Sequence, residues 1–278
     1  MKTLCAEVRA AFRLTRVGLH LVWGVAMVAL VYPWIDLRLK RWLKQCWSRQ
    51  LLQILGVRLS VNRETSLPGG LLVSNHISWL DIFVINALAP AAFVAKDDVK
   101  RWPLIGWLCA HTETIFLKRG SRAAAQRTRE EISDRLRAGG SVAVFPEGTT
   151  SRGGRVLPFH AALFQSAVDA AAPVVPLMLR YVDRRGHPSR APAYDGEITL
   201  WQSLWAIART SGLTAELCVL PPIAAQTATR RALAERCHDA IARCLEQRNG
   251  MPLAAAGAAE QSAEERQTHC HSPFTSVA

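Results

Sequence analysis

Acidic residues are scarce in this chain. Only 22 Asp and Glu stand against 34 Lys and Arg, a formal net charge of +12 with a pI near 10. Such an excess selects for an anionic partner: nucleic acid, an anionic lipid surface or a phosphorylated substrate. Paired cysteines are also lacking. The seven cysteines are scattered, odd in number and without a CxxC, which excludes a disulfide framework and fits a reducing compartment. No N-x-[ST] sequon and no internal repeat occurs. G-x-S-x-G is absent, so a serine-hydrolase reading lacks its nucleophile elbow. Walker A, GxGxxG and HExxH are missing too, as is any recognised nucleic-acid motif.

What is present is a chain of 278 residues, half of them hydrophobic. That is enough for a sizeable core in one or two domains, and too apolar for wholesale disorder. The charge is concentrated at one end. Residues 1–60 carry ten basic groups against Glu7 and Asp36, so +8 of the +12 lies there.

Within that basic region, residues 17–35 form a run of nineteen without formal charge. As a helix it spans roughly 28 Å, about one hydrocarbon thickness. A signal peptide fits less well, because sixteen residues precede the run and no A-x-A site follows. A buried core helix is the other alternative. Both flanks are basic, which gives no orientation for a single span. It fits a segment with both ends on the cytoplasmic side, dipping into one leaflet or lying in the interface. Residues 36–56 then place Leu39, Trp42, Leu43, Cys46, Trp47, Leu51, Ile54 and Leu55 on a helical stripe bordered by Arg and Lys. Such a helix either lies on anionic lipid or packs its stripe on its own domain. Nucleic-acid binding is set aside, because the basic residues surround an apolar span.

Short apolar runs recur at 71–74, 92–95, 114–117, 141–145, 174–181 and 214–220. Helical patterns at 121–138, 159–172 and 227–248 alternate with them. The expectation is an α/β fold, a mixed and largely parallel sheet flanked by helices. The organisation reads as a membrane-associated helical region (1–60), an α/β domain (61–250) and a disordered tail (251–278). The tail's His269-Cys270-His271 is read as unstructured rather than as a metal site. No metal is expected.

Four segments carry chemistry. In Asn75-His76-Ile77-Ser78-Trp79-Leu80-Asp81, a strand ends at the histidine and a helix starts near the aspartate. On one helix the two lie about 140° apart, but across a strand-to-helix bend they can meet. A carboxylate on an imidazole fixes its tautomer and stabilises its cation, making His76 a candidate general base and Asp81 its orienting partner. The alternative is that Asn75 or Ser78 caps the helix and His76 is a satisfied loop residue. In Phe145-Pro146-Glu147-Gly148-Thr149-Thr150-Ser151-Arg152, a glycine permits close backbone approach, and hydroxyls with an arginine suit a polar or anionic group. Between Lys96 and Arg119 lies a third segment, with Arg119 before a predicted helix start, a favourable place for phosphate. The fourth is Val174-Val175-Pro176-Leu177, where a proline in a strand predicts an edge or a bend.

In this order the four segments resemble the blocks of the glycerophospholipid acyltransferase family, over about residues 70–180. NHISWLD is similar to its NHxSxxD block, residues 96–119 to its second, FPEGTTS to its third and VVPL to its fourth. The resemblance implies His76 and Asp81 as a catalytic dyad. It implies that Arg119 and the loop of Glu147, Gly148, Thr149, Thr150 and Ser151, with Arg152 next to it and Lys96 close by, hold the acceptor. It further implies an acyl thioester donor, acyl-CoA or acyl carrier protein, with no resident cofactor and no acyl-enzyme. The acceptor it implies is a lysophospholipid, 1-acyl-sn-glycerol-3-phosphate first. The setting it implies is a bacterial inner membrane with the catalytic domain on the cytoplasmic side, on an anionic surface. One departure bears on the acceptor. Phosphatidate-forming members usually read FPEGTRS, and their arginine helps bind the acceptor phosphate; here Thr150 stands at that position. FPEGTTS followed by Leu157-Pro158-Phe159 is similar to relatives that acylate lyso-ornithine lipid. A basic, non-catalytic protein that binds anionic membranes is the reading from another class.

Overall fold

Leu71–Ser74 (β2) has no polar alternation, as expected of a strand covered on both faces. In the computed structural model, which describes residues 2–63, 67–102, 104–117 and 122–250, all four of its residues are buried. β2 sits near the middle of a seven-stranded sheet. The other strands are Val57–Arg63 (β1), Ala92–Lys96 (β3), Ile115–Leu117 (β4), Val142–Val144 (β5), Val174–Val182 (β6) and Leu213–Val219 (β7). Their order is β1-β7-β6-β2-β5-β3-β4, parallel throughout except between β6 and β7. The carboxyl ends of β2 to β6 therefore share one edge, where ligands of open α/β sheets usually bind.

The expected mixed, largely parallel sheet with flanking helices is observed. β1 was not anticipated from the sequence. It is the outer strand beyond β7, a pairing invisible to local periodicity. Residues 159–172 resolve into a short 3-10 turn, Ala161–Phe164, and a helix, Gln165–Ala170 (α6). Of the two expectations for Pro176, the edge is overturned: β6 is central, buried along its whole length and hydrogen-bonded on both sides. Pairing runs from Leu177↔Val219 to Val174↔Ile223, one residue more on the β7 side. Pro176 lies at that bulge, where a missing N–H costs no ladder bond. The expected disordered tail, 251–278, lies outside the described residues.

The remaining helices cover both faces. They are Lys2–Leu30 (α1), Leu37–Leu55 (α2), Asp81–Leu88 (α3), Ile105–His111 (α4), Arg122–Arg137 (α5), Leu200–Arg209 (α7) and Arg230–Gly250 (α8). Leu177, Leu179 and Tyr181 of β6 face a core shared with α2 and α3. Val174 and Met178 face the opposite core, with Cys237 and Ile241 of α8. Cys237 is a core residue whose thiol burial pushes up to about 12.

The amino-terminal helices differ from the sequence reading in one instructive way. α1 begins fifteen residues before the charge-free run and ends in a 3-10 turn at Tyr32–Trp34, with Pro33 inside it. α2 is capped by the Asp36 carboxylate, which accepts from the Leu39 N–H (2.8 Å), and stopped by left-handed Gly56. Half of the ten basic groups are spent inside the protein. Arg9 donates to the Arg209 carbonyl (2.7 Å), and Arg13 to those of Ala208 and Thr210, closing the end of α7. Arg49 donates to Ala87 O (2.7 Å) and Lys44 to Ala91 O (3.0 Å), at and beyond the end of α3. Arg41 and Lys44 also pair with Glu113. Cations at helix carboxyl ends satisfy orphan carbonyls and the dipole together. The packing reading of α2 therefore applies to its carboxyl-terminal part. Leu51, Leu52 and Leu55 are buried, whereas Leu37, Leu39 and Trp42 are exposed.

Candidate active site

β2 delivers the chain to Asn75, whose side chain prolongs the sheet. Its amide nitrogen donates to Leu179 O and its oxygen accepts from Leu179 N, both at 2.8 Å. The backbone then bends, and α3 begins at Asp81. Its carboxylate folds back over the bend. Oδ2 accepts from the N–H groups of Ile77 (2.7 Å) and Ser78 (2.9 Å) and lies 2.8 Å from His76 Nδ1. Oδ1 accepts from the Tyr181 hydroxyl at 2.7 Å. Asp81 is fully buried, so its oxygens meet protein donors only. A carboxylate only accepts, so Nδ1 carries a hydrogen, and in the neutral ring the lone pair is then on Nε2.

The other side of His76 is held by the loop after β5. The imidazole stacks on Phe145, centroids 3.9 Å apart and planes within 9°. Glu147 Oε1 accepts from the His76 N–H (3.0 Å), while Ser151 donates its N–H (2.8 Å) and its hydroxyl (3.2 Å) to the His76 carbonyl. Gly148 is left-handed (φ +69°), and a Cβ there would come within 3.2 Å of the His160 ring. The bend is thus clamped on both backbone groups, and its ring remains about one-fifth exposed. Such an imidazole can accept a proton from a polar group approaching the sheet edge, with a buried anion behind it to stabilise the resulting cation.

Glu147 is buried, and among the described residues its Oε2 has no hydrogen-bond partner. Burial pushes its carboxyl up to about 7; the amides of His76 and Leu157 oppose the rise, and the Asp81 charge adds to it. Tyr181 is held well above the usual phenol range by burial and by the Asp81 charge.

A family model described as Acyltransferase matches residues 58–180. A 1-acyl-sn-glycerol-3-phosphate acyltransferase from Neisseria meningitidis is 38% identical over 199 residues, which is 70% of this chain and 77% of that one. A lyso-ornithine lipid O-acyltransferase from Pseudomonas aeruginosa is 33% identical over 204 residues, 73% of this chain and 77% of that one. The chain belongs to the acyltransferase family. It is an O-acyltransferase of the lysophosphatidate or lyso-ornithine lipid type. Its fold is that of the crystallised 1-acyl-sn-glycerophosphate acyltransferase from Thermotoga maritima (TM-score 0.67, 20% identity, 89% of this chain and 97% of that one).

In this acyltransferase the structure brings His76, Asp81, Glu147 and Ser151 together. Thr149 is exposed on the loop. Thr150 turns its hydroxyl onto the Tyr194 carbonyl, and Arg152 pairs with Asp195 (2.8 Å) at the surface. Lys96 ends β3 at the same sheet edge, exposed and without a partner among the described residues. Arg119 lies outside the described residues. Sequence reasoning missed two participants, Tyr181 and the pinning role of Asn75. One signal for Tyr181 was available: a phenol in an otherwise apolar strand needs a partner for its hydroxyl.

Proposed function

We propose that the enzyme transfers a fatty acyl group from an acyl thioester to the free hydroxyl of a lysophospholipid, with His76 as general base and Asp81 as its orienting partner. The observation that carries this reading is the 2.8 Å contact of His76 Nδ1 with a buried carboxylate, which in the neutral ring puts the lone pair on Nε2, in a side chain that remains partly exposed. Nε2 takes the acceptor's hydroxyl proton as the oxygen attacks the thioester carbonyl. A C–O bond forms, the C–S bond breaks, and the imidazolium returns its proton to the departing thiolate. Acyl-CoA or acyl carrier protein supplies the thioester. Lys96, Arg119 and the loop from Glu147 to Arg152 hold the acceptor.

The acceptor proposed first is 1-acyl-sn-glycerol-3-phosphate, in line with the 38% identical relative. A second reading, lyso-ornithine lipid, is favoured by a specific observation. The hydroxyl of Thr150 and the Nε of Arg152 are already engaged, so between Glu147 and Arg152 only the Nη groups of one surface arginine remain for a phosphate. The catalytic domain sits on an anionic bilayer at the cytoplasmic side of the inner membrane. Support comes from Thr3–Trp34, which joins α1 to the 3-10 turn after it and is long and apolar enough to cross a membrane, while α1 packs along α2 and α7 of the domain. Its outer face exposes Leu4, Val8, Phe12, Leu19, Val22 and Trp23. Trp201, on the neighbouring α7 and in tilted ring contact with Trp205, is exposed as well.

The test is an assay of the purified full chain with lysophosphatidic acid and with lyso-ornithine lipid, each with acyl-CoA and with acyl carrier protein, reading diacyl product by mass spectrometry. The expected result is faster turnover of lysophosphatidic acid, abolished in His76→Ala. Preference for lyso-ornithine lipid establishes the second acceptor. Normal turnover by a folded His76→Ala variant would end the general-base reading.

A further inference from the structure

We infer that Tyr181 is a third member of the His76–Asp81 unit, a positioning residue that acts on the base through the carboxylate. The inference rests on the reading of His76 as general base and extends it by one hydrogen bond. Asp81 is fully buried and carries two oxygens that must both be satisfied by protein. Oδ2 is crowded, with the Ile77 and Ser78 amides and the His76 ring all within 2.9 Å. Oδ1 has a single hydrogen-bond donor among the described residues, the Tyr181 hydroxyl at 2.7 Å. Without it, half of the carboxylate faces a dry core. A buried anion with an orphaned oxygen relieves itself by rotating or by taking up a proton, and either change weakens its hold on Nδ1.

The architecture is built to place that hydroxyl. Tyr181 is a hundred residues from Asp81 in sequence and is delivered by register alone. β2 pairs with β6 from Leu71↔Val174 to Ser74↔Leu177. Asn75 adds one more rung with its side chain, locking Leu179 on both backbone groups. Leu177, Leu179 and Tyr181 then alternate onto the α3 side of the sheet, and the third reaches the first residue of α3. The strand that carries the VVPL block thus has a purpose beyond that block: four residues past Leu177 it supplies the donor that completes the shell of Asp81.

The experiment compares full-length wild type with Tyr181→Phe, Asp81→Asn and the double variant, with thermal melting to confirm folding. Tyr181→Phe is expected to lower kcat about tenfold while leaving KM for donor and acceptor within about twofold, the mark of an interaction used in the chemical step. In the Asp81→Asn background the same substitution is expected to change kcat by less than about twofold, because the group it acts through is gone. An unchanged kcat, a loss residing in KM, or an equal loss with and without Asp81 overturns the inference and marks Tyr181 as packing. Should the phenylalanine variant fail to fold, 3-fluorotyrosine inserted at position 181 keeps the ring and hydroxyl and changes only donor strength. It is expected to shift kcat in the wild-type background and not in Asp81→Asn; no shift in either overturns the inference. The base reading fails separately, on His76→Ala. If that variant is dead and Tyr181→Phe is silent, only the present inference falls.

Discussion

Replacing Asp81 by Asn is the sharpest probe of the site, because shape is kept and charge is removed. With its oxygen toward Ile77 N, Ser78 N and His76 Nδ1, the amide turns its NH2 toward the Tyr181 hydroxyl. That hydroxyl must then accept, and its own hydrogen is left without a partner in a buried strand. An orphaned buried donor costs about 1–3 kcal/mol of stability. The larger effect is kinetic. When Nε2 takes a proton the ring becomes a cation, and its attraction to the carboxylate is worth about 4 kcal/mol at a charge separation near 4 Å and an effective dielectric near 20. At roughly 1.4 kcal/mol per decade, removing the charge lowers kcat by about 10³. The charge pair exists only as the proton moves, so KM for donor and acceptor stays within about threefold. Mass-spectrometric initial rates against both substrates, with circular dichroism to confirm folding, check the split. A folded Asp81→Asn variant with kcat within tenfold of wild type, or with its loss in KM, would refute the electrostatic argument.

Two further predictions concern stability. The Glu147 carboxyl is raised from 4.5 to about 7 by burial, so the native state binds the proton more tightly than the unfolded chain does. Stability is therefore lost as pH rises from 4.5 through about 7, by about 3 kcal/mol in total, and is level above that. Glu147→Gln cannot titrate, so in urea unfolding its advantage over wild type should grow between pH 5 and pH 8; a difference independent of pH contradicts the assignment. Arg180 and Glu216 form a buried ion pair at 2.7 Å between β6 and β7. Glu216→Gln strands a cation whose Nη2 already has no hydrogen-bond partner among the described residues, so a loss of about 3–5 kcal/mol is expected. Joint replacement by Met at 180 and Leu at 216 should recover most of it. Denaturant midpoints of the three proteins decide, and a silent Glu216→Gln counts against the pair.

Much of the fold was legible because its signals are local. Strands buried on both faces show as mainly apolar runs, so β2 to β7 could be read one by one. The apolar stripe of residues 36–56 showed α2 in the same local way. Charge was less informative. Arg9, Arg13, Lys44 and Arg49 look in sequence like a lipid-facing flank, but in space they close the carboxyl ends of α3 and α7, or the turn beyond, because carbonyls left over at helix ends attract cations from any neighbouring element. Pro176 left an edge and a bend open for the same reason: proline disfavours a central strand unless a bulge relieves it, and a bulge is a property of two strands at once.

The sequence alone determined the chemistry that can be carried within seven residues. NHISWLD holds a base, its carboxylate and the bend that joins them, since the contacts of Asp81 Oδ2 with His76 Nδ1 and the amides of Ile77 and Ser78 are made by near neighbours in the chain. Only the tertiary structure decided what surrounds the pair: Tyr181 on Asp81, Glu147 and Ser151 on the His76 backbone, Asn75 on Leu179, and Thr150 turned onto Tyr194. Those contacts depend on sheet order and register, which arise when distant apolar faces are buried together. No single stretch of the chain records which of its possible neighbours it will meet.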